Sequence, residues 1–294
     1  MGELGDDAKF LAGGQSLIPL MKLRLSTPGH LVDLNFITGT SYIRRNGALR
    51  LGAMTRHAEI AHSADTAALP ILHDCAAGIA DPQVRHMGTI GGSIAEADPT
   101  GDWAPVLLTT GATVRTLGPN GERTIDIKDF ILDAFTSALQ PGELVTEIVV
   151  PLPARREAGA PDESRISTSW GVSAGAYVAL KRCAPVYASA SVAVQLTLEA
   201  DAQTCSEARI CLGVLALTAT RVTAAEELLR GQPISSQQIE KVRQAVMDIA
   251  DPAPDMRGSA DYKRQAAGAL AKLALEAALK RARGEHVEVS HLYA

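Results

Sequence analysis

The 294-residue chain has few aromatic residues, few cysteines and no block of basic residues. Aromatic side chains make up 4% of it, and 28 lysines and arginines face 33 acidic residues, which gives a net charge of -5. Without a basic surface the sequence does not favour a nucleic-acid-binding protein. No window supplies the roughly 20 apolar residues of a transmembrane segment, and the start lacks the basic and apolar stretches of a secretory signal.

Cysteine is sparse, with Cys75, Cys183, Cys205 and Cys211 scattered along the chain. No pair has C-x-x-C spacing, and no familiar cysteine pattern for an iron–sulfur cluster is present. This usage predicts reduced, buried thiols in a cytosolic protein. The histidines lack H-x-x-x-H and H-E-x-x-H spacing, and there is no G-x-S-x-G, so zinc-hydrolase and nucleophile-elbow sites have no support.

What the chain does have is 46% apolar residues, enough for a folded core and for about two domains at ~150 residues each. In the first half, strands are expected at 9–12, 30–34, 48–53 and 144–150, with a hairpin over 113–127. Helices are expected after Ser16, which could cap one, and over 69–80. Residues 82–101 show no period and are interpreted as a long loop, and residues 152–165 as a linker.

The remainder reads as a separate unit. Strands over 177–181, 188–198 and 208–216 have short connections and are expected to be antiparallel. Helices are expected over 224–230, 236–249 and 260–283. Gly231 ends the first of them and Gly284 ends the third, since glycine is typical just after a helix. Strands followed by helices predict an α+β class rather than a doubly wound sheet.

Two glycine-rich segments are the candidates for ligand binding. We call residues 12–17 the first glycine segment and residues 89–93 the second glycine segment. Paired glycines allow close approach of the backbone to a ligand, and N–H groups at a following helix start attract an anion. Neither fits G-x-G-x-x-G or the P-loop pattern. Together they could hold a diphosphate from both sides, although each alone could be an ordinary turn.

Other polar residues leave alternatives open. Asp98 and Asp102 could bind ribose hydroxyls, and Asp102 could equally cap a helix starting near Trp103. Trp103 and Trp170 are interpreted as packing or interface residues. Tyr177 is a weaker candidate for stacking on a planar ligand. From the residues alone, the sequence indicates a cytosolic α+β protein that binds a ligand containing a diphosphate.

The two glycine segments in combination resemble the two FAD-binding signatures of the molybdenum hydroxylase medium subunit, a family that includes flavoproteins of aerobic carbon monoxide dehydrogenase, quinoline 2-oxidoreductase and xanthine dehydrogenase. Residues 30–34, 51–54, 141–151 and 257–264 also fit. The resemblance implies a two-part FAD-binding region of the vanillyl-alcohol-oxidase type over 1–152, shortened at its start, and a C-terminal domain of the carbon monoxide dehydrogenase flavoprotein type over 165–294, with a small antiparallel sheet and helices.

The resemblance also implies a set of FAD-binding residues and no catalytic acid, base or nucleophile. The first glycine segment contributes Ala12, Gly13, Gly14, Gln15, Ser16 and Leu17, and the second contributes Thr89, Ile90, Gly91, Gly92 and Ser93. The other implied cofactor neighbours are Asp98, Asp102, Val145 and Lys181.

The activity implied is that of an oxidoreductase subunit in an electron relay. A large molybdopterin subunit hydroxylates the substrate, a small subunit carries [2Fe-2S] clusters, and FAD here passes electrons to an external acceptor. A dimer of heterotrimers is expected, cytoplasmic or membrane-associated through the complex. Substrate choice belongs to the molybdenum subunit, so carbon monoxide, an N-heterocycle, a purine and an alkaloid stay open, as do the acceptor and the contacts between subunits.

Several positions depart from the family pattern. Only eleven residues precede Ala12, where the family has a further strand and helix; if that segment is absent, an exposed edge of the first sheet is expected. Glu96 and Ser93 stand where His and Asn are common. Ala179 replaces a lysine, which is expected to lower the flavin potential unless Lys181 substitutes for it.

Two alternative functions stay open beside that of an electron-relay subunit. One is a stand-alone FAD-dependent reductase of the same fold, which needs its own acid and base residues. The other is an interaction subunit that has lost the flavin, which the two intact glycine pairs disfavour.

Overall fold

The computed structural model describes residues 5–152, 173–289 and 291–293. Within these ranges helices and strands are mixed, and the α+β class expected from the sequence is confirmed. Most of the predicted linker, together with Trp170, lies outside the described residues.

The structure has fourteen strands and ten α-helices in the described residues, numbered here in chain order. The strands are β1 (Ala8–Leu11), β2 (His30–Asp33), β3 (Ile43–Asn46), β4 (Ala48–Gly52), β5 (Thr113–Gly118), β6 (Gly121–Asp126), β7 (Ile131–Asp133), β8 (Thr136–Ser137), β9 (Leu144–Pro151), β10 (Ser173–Lys181), β11 (Ala190–Leu198), β12 (Cys205–Gly213), β13 (Thr220–Arg221) and β14 (Leu292–Tyr293). The helices are α1 (Leu17–Lys22), α2 (His57–His62), α3 (Pro70–Gly78), α4 (Pro82–Met87), α5 (Ile90–Glu96), α6 (Trp103–Thr110), α7 (Ile127–Phe130), α8 (Thr223–Leu229), α9 (Ser236–Ile249) and α10 (Ala260–Ala282).

The first half of the chain contains two sheets that place the glycine segments. β1 and β2 pair in parallel, and the first glycine segment connects β1 to α1. The second sheet has the order β3-β4-β9-β5-β6 and is antiparallel throughout. Helices α2 to α6 pack around a cluster of buried side chains that includes Trp103, Leu51 and Ile148, so the packing role expected for Trp103 is confirmed.

The prediction of a long loop over 82–101 is wrong. Two short helices, α4 and α5, occupy most of it. Each is capped by a side chain: the Asp81 carboxylate accepts a hydrogen bond from the Val84 N–H at 2.9 Å, and the Thr89 hydroxyl accepts one from the Gly92 N–H at 3.2 Å. Helices of six and seven residues are too short to show a hydrophobic period, which is why the pattern did not reveal them.

The second half is a sheet covered by helices, as expected. Its order is β13-β12-β11-β10-β14, with antiparallel pairs from β10 to β13. β14 was not predicted; it pairs in parallel with the end of β10, Leu180 lying opposite Leu292. α9 and α10 bury Val242, Leu270 and Leu275 against this sheet.

The two halves share buried contacts. Tyr177, Ala179 and Cys211 of the second half belong to the same cluster of buried side chains as Trp103.

Cys75, Cys205 and Cys211 are buried, as expected, but Cys183 is exposed in the turn between β10 and β11, so that part of the cysteine prediction is wrong. In the described ranges, no helix combines the length and apolar character needed to cross a bilayer.

Candidate functional site

A cavity of about 280 Å³ lies where the two halves of the chain meet. Both glycine segments border it, the connection from α3 to α4 and α4 itself contribute apolar side chains, and the turn after β10 closes one side. Its lining consists of Phe10, Ala12, Gly13, Gly14, Gln15, Ser16, Leu17, His57, Ile79, Ala80, Val84, Gly88, Thr89, Gly92, Ser93, Glu96, Gly101, Asp102, Lys181, Pro185, Val186 and Tyr187.

The first glycine segment supplies backbone donors to this cavity. Gly14 has a φ of +71°, a left-handed conformation that favours glycine. Ser16 occupies the cap position of α1, but its hydroxyl makes no capping bond, so this part of the helix prediction is wrong. Within the described part of the chain, the N–H groups of Gly14, Gln15 and Ser16 donate to no protein acceptor. They are therefore available to an anionic group.

The second glycine segment is held more tightly by the protein itself. Its Ile90 and Gly91 N–H groups donate to the carbonyls of Thr55 and Ala53, at 3.1 and 2.9 Å. A Cβ on Gly91 would lie 2.5 Å from the Ala53 Cβ, and one on Gly92 would lie 2.8 Å from the Thr89 Oγ1. Close packing thus demands glycine at both positions. Thr89, Gly92 and Ser93 face the cavity, whereas Ile90 and Gly91 support it from behind.

Two other expected cofactor neighbours lie outside the cavity lining. Asp98 closes a turn in which its carboxylate accepts hydrogen bonds from the Thr100 N–H and hydroxyl, at 2.8 and 2.6 Å. Val145 lies on β9 opposite Thr116 of β5. Asp102 and Lys181 do line the cavity.

Asp102 accepts a hydrogen bond from the hydroxyl of Tyr177 at 2.5 Å and lies 3.8 Å from the ammonium of Lys181. It makes no capping bond to α6, so the alternative in which it caps that helix is wrong. Tyr177 is fully buried, which leaves its ring no open face for stacking on a ligand. Burial and the Asp102 charge raise the pKa of the Tyr177 phenol well above its usual range, so the phenol stays a donor.

Lys181 brings a buried positive charge to the cavity. Its ammonium donates to the Gly78 carbonyl at 2.6 Å, and its side chain is 2% exposed. Ala179, two residues earlier on β10, is buried in the apolar cluster and lies outside the cavity lining. The positive charge of this strand therefore reaches the cavity through Lys181.

Sequence reasoning missed several residues that border the cavity. Tyr187 is the polar one besides His57, whereas Glu96 was named from the sequence only as a departure from the family pattern. Burial is the largest cause that raises the pKa of Glu96 and of Tyr187, and neighbouring carboxylates raise it further. Ile79, Val84, Pro185 and Val186 add an apolar wall. No motif marks Tyr187 or the apolar wall, because the connection after α3, α4 and the turn after β10 come together only in the fold.

His57 is a buried member of the lining. The Trp103 indole N–H donates to its Nδ1 at 3.1 Å. Burial, followed by the charges of Arg56 and Arg85, lowers the pKa of His57 to about 4. At neutral pH the ring is uncharged, and acceptance at Nδ1 leaves the proton on Nε2.

The cavity thus offers backbone donors, a buried cation, hydroxyls and carboxylates along one surface. Donors and a cation suit a diphosphate, while Asp102 and Glu96 can accept hydrogen bonds from hydroxyl or ring N–H groups. No group of three or more possible metal-ligating side chains occurs among the described residues.

Comparison with known proteins identifies the family. The family described as the FAD binding domain in molybdopterin dehydrogenase matches residues 1–153, and the CO dehydrogenase flavoprotein C-terminal domain matches residues 175–278. The chain belongs to the FAD-binding medium subunits of the molybdenum hydroxylases. It is 37% identical to the 6-hydroxypseudooxynicotine dehydrogenase complex subunit alpha of Paenarthrobacter nicotinovorans, over 98% of this chain and 92% of that protein.

Solved structures agree with this family. A chain of the carbon monoxide dehydrogenase from Hydrogenophaga pseudoflava superposes with a TM-score of 0.86 and 39% identity, covering 95% of this chain and 92% of that one. A chain of quinoline 2-oxidoreductase from Pseudomonas putida 86 gives 0.84 and 28%, covering 96% and 93%. This medium subunit is an oxidoreductase flavoprotein, and the stand-alone reductase is not favoured.

FAD is the cofactor of this chain, and the molybdenum and iron–sulfur centres belong to other subunits. The residues present fit FAD. A Cβ on Gly92 would crowd the Thr89 Oγ1 and the Ala12 Cβ, and among the described residues the N–H groups of residues 14–16 have no protein acceptor. Close backbone approach and free N–H groups are what a diphosphate requires.

Proposed function

We propose that this medium subunit takes electrons from [2Fe-2S] clusters of a small partner subunit and passes them to an external acceptor, in a dimer of heterotrimers that also contains a large molybdopterin subunit. Bound FAD supplies the exchange between one-electron and two-electron carriers. The protein supplies position, electrostatics and exclusion of water.

Each part of the cavity has a role in this proposal. The N–H groups of residues 14–16 and the Thr89 and Ser93 side chains bind the diphosphate and ribityl chain. Lys181 offsets negative charge in the cavity, and Asp102, held by the Tyr177 hydroxyl, accepts hydrogen bonds from the cofactor. Ile79, Val84 and Leu17 exclude water from the apolar part.

The observation that carries the proposal is the meeting of both glycine segments at one cavity with Lys181 and Asp102. The family relation supports the partner subunits, since the relatives are named as a subunit of a complex and as medium chains. The sparse, unpaired cysteines support a location in the cytoplasm. The substrate is selected in the molybdenum subunit, and a compound oxidised by the purified complex will identify it.

The test is to purify the complex through a tag on this chain, record its absorption spectrum, identify the acid-released cofactor and determine the mass of the complex. We expect flavin bands, released FAD, a broad iron–sulfur background and two copies each of three subunits. FAD without that background, in a complex able to oxidise NADPH, contradicts the relay. A colourless protein contradicts FAD binding, and a different mass contradicts the stoichiometry alone.

A further inference from the structure

The first glycine segment packs on the backbone of Met87 and Gly88, the residues just before the second glycine segment. Gly13 packs so closely on the Met87 carbonyl and on Gly88 that a Cβ would collide with both. A Cβ on Gly92 would in turn come within 3.3 Å of the Ala12 Cβ. The spacing between the two segments is therefore set by what holds residues 12–13 against residues 87–88.

Asn35 holds the first glycine segment. This residue follows β2, and its Nδ2 donates to the Ala12 carbonyl at 3.0 Å and to the Asp33 carboxylate at 2.6 Å. The Asn35 N–H also donates to Asp33, at 2.9 Å. Because Asp33 fixes Asn35 by two hydrogen bonds, the amide is oriented before it reaches Ala12.

Arg56 connects this amide to the residues just before the second glycine segment. One arm of its guanidinium donates to the Asn35 Oδ1 at 2.5 Å, and the other donates to the Met87 carbonyl. The guanidinium is a rigid planar fork, so the two bonds fix the distance between their acceptors. The guanidinium thus connects Asn35, which binds the Ala12 carbonyl, to Met87, the residue before Gly88.

The backbone around Arg56 is itself bonded to the second glycine segment. The His57 N–H donates to the Gly88 carbonyl at 3.2 Å, and the Ile90 N–H donates to the Thr55 carbonyl at 3.1 Å. The Arg56 N–H is fixed by the Glu59 carboxylate at 2.7 Å. Arg56 therefore moves with the second glycine segment and reaches across to the first.

We infer that Arg56 is a positioning residue for FAD, acting through Asn35 to hold the two glycine segments at the separation that the diphosphate requires. Neither residue lines the cavity, so both act through the backbone that does. The inference rests on the proposed FAD-binding role of this cavity. No motif in the sequence marks either residue.

The experiment uses the full chain with its co-purifying subunits and measures the rate of FAD release after dilution, from the rise in flavin fluorescence. Arg56→Gln should release FAD about tenfold faster or more, because two hydrogen bonds from a charged donor are lost. Arg56→Lys should release FAD at a rate between those of the wild type and Arg56→Gln, because an ammonium keeps the charge but lacks the two-armed fork. The matched control is Arg243→Gln, which removes an ion pair with Glu240 at 2.6 Å on α9 and should release FAD as the wild type does.

A double-mutant cycle separates positioning from general stability. Asn35→Ala should speed FAD release, and adding it to Arg56→Gln should give much less than the product of the two single effects, because both act through one bond. The melting temperature of the cofactor-free complex should stay within about 2 °C of the wild type for Asn35→Ala, whose side chain is exposed.

The outcomes separate the inference from the proposed function. Unchanged FAD release in Arg56→Gln, or independent effects of the two substitutions, overturns the positioning role while FAD binding stands. Faster release that merely follows a lower melting temperature, with no intermediate rate for Arg56→Lys, also overturns it. A wild-type complex without FAD refutes both. If Arg56→Gln fails to accumulate, Asn35→Ala gives the same decision alone.

Discussion

At the scale of single residues, His57 combines burial, a fixed proton position and contact with the cavity. It is 5% exposed, and its Nδ1 accepts from the Trp103 indole. Two arginines and the loss of hydration disfavour its charged form, so its pKa falls to about 4 from a usual value of 6.5. Folding therefore favours the neutral form of His57.

This predicts a specific dependence of stability on pH. The unfolded chain binds a proton at His57 near pH 6.5 but the folded chain only near pH 4, so the free energy of unfolding should drop as pH falls through that window, by roughly 3 kcal/mol. His57→Asn keeps an acceptor for Trp103 and cannot titrate, so its loss of stability over this window should be smaller. Denaturant unfolding from pH 7 to pH 4 measures both.

The control for this prediction is His62→Asn, on the same helix but exposed. It should follow the wild-type curve across the window. Equal pH dependence in wild type and His57→Asn would show that other groups account for the acid sensitivity.

At the scale of elements, the short helices α4 and α5 depend on their caps. Each has only one or two turns, so a helix of this length gains little from its own backbone bonds. The Thr89 hydroxyl caps the Gly92 N–H at 3.2 Å, the same distance at which Ser235 caps the Gln238 N–H of α9. The two caps are alike chemically, but only Thr89 lines the cavity.

Replacing each cap tests what Thr89 does for the cofactor. Thr89→Ala and Ser235→Ala should each lower the free energy of unfolding by about 1 kcal/mol. Only Thr89→Ala should also speed FAD release, because it loosens the second glycine segment. Denaturant melts and FAD release rates for both variants make the comparison. Equal release rates would mean that the Thr89 cap stabilises α5 without affecting the cofactor.

The elements that the sequence predicted are those with a clear period or a clear end. The hairpin of β5 and β6, the strands β10 to β12 and the helix α9 follow alternating or helical patterns, and the structure has them within a few residues. α4 and α5 were missed because one or two turns show no period. β14 was missed because two residues gain a strand only by pairing with distant β10.

The site was predictable where chemistry is local in sequence. The glycine segments could be found from their composition and Asp102 from its position near them, and the resemblance added Lys181. Asn35, Arg56 and Tyr187 could not be found in this way, since each acts through a partner at least 20 residues away or through a turn packed on the cavity. Such partners are fixed by the fold and leave no pattern in the chain.

At the scale of the whole molecule, a buried ion pair joins the two halves. The Arg281 guanidinium on α10 donates to both oxygens of Asp74 on α3, at 2.6 and 2.9 Å. Asp74 also accepts from the Tyr177 N–H at 3.1 Å, and Arg281 also donates to the Gly175 carbonyl at 2.8 Å. The pair is 2% and 7% exposed, and it lies behind the strand that carries Lys181 to the cavity.

Removing one partner of a buried pair leaves a charge without hydration or compensation. Arg281→Met should therefore destabilise the chain by about 3–5 kcal/mol, and Asp74→Asn in the same chain should restore part of that loss. Because the pair couples the halves, calorimetry of Arg281→Met should show two separated unfolding transitions where the wild type shows one. Arg283→Met, which removes only an exposed bond of 3.1 Å to the Ala202 carbonyl, should unfold as the wild type does. A single transition at the wild-type temperature in Arg281→Met would place the coupling in the shared apolar cluster around Trp103 and Tyr177, and not in the ion pair.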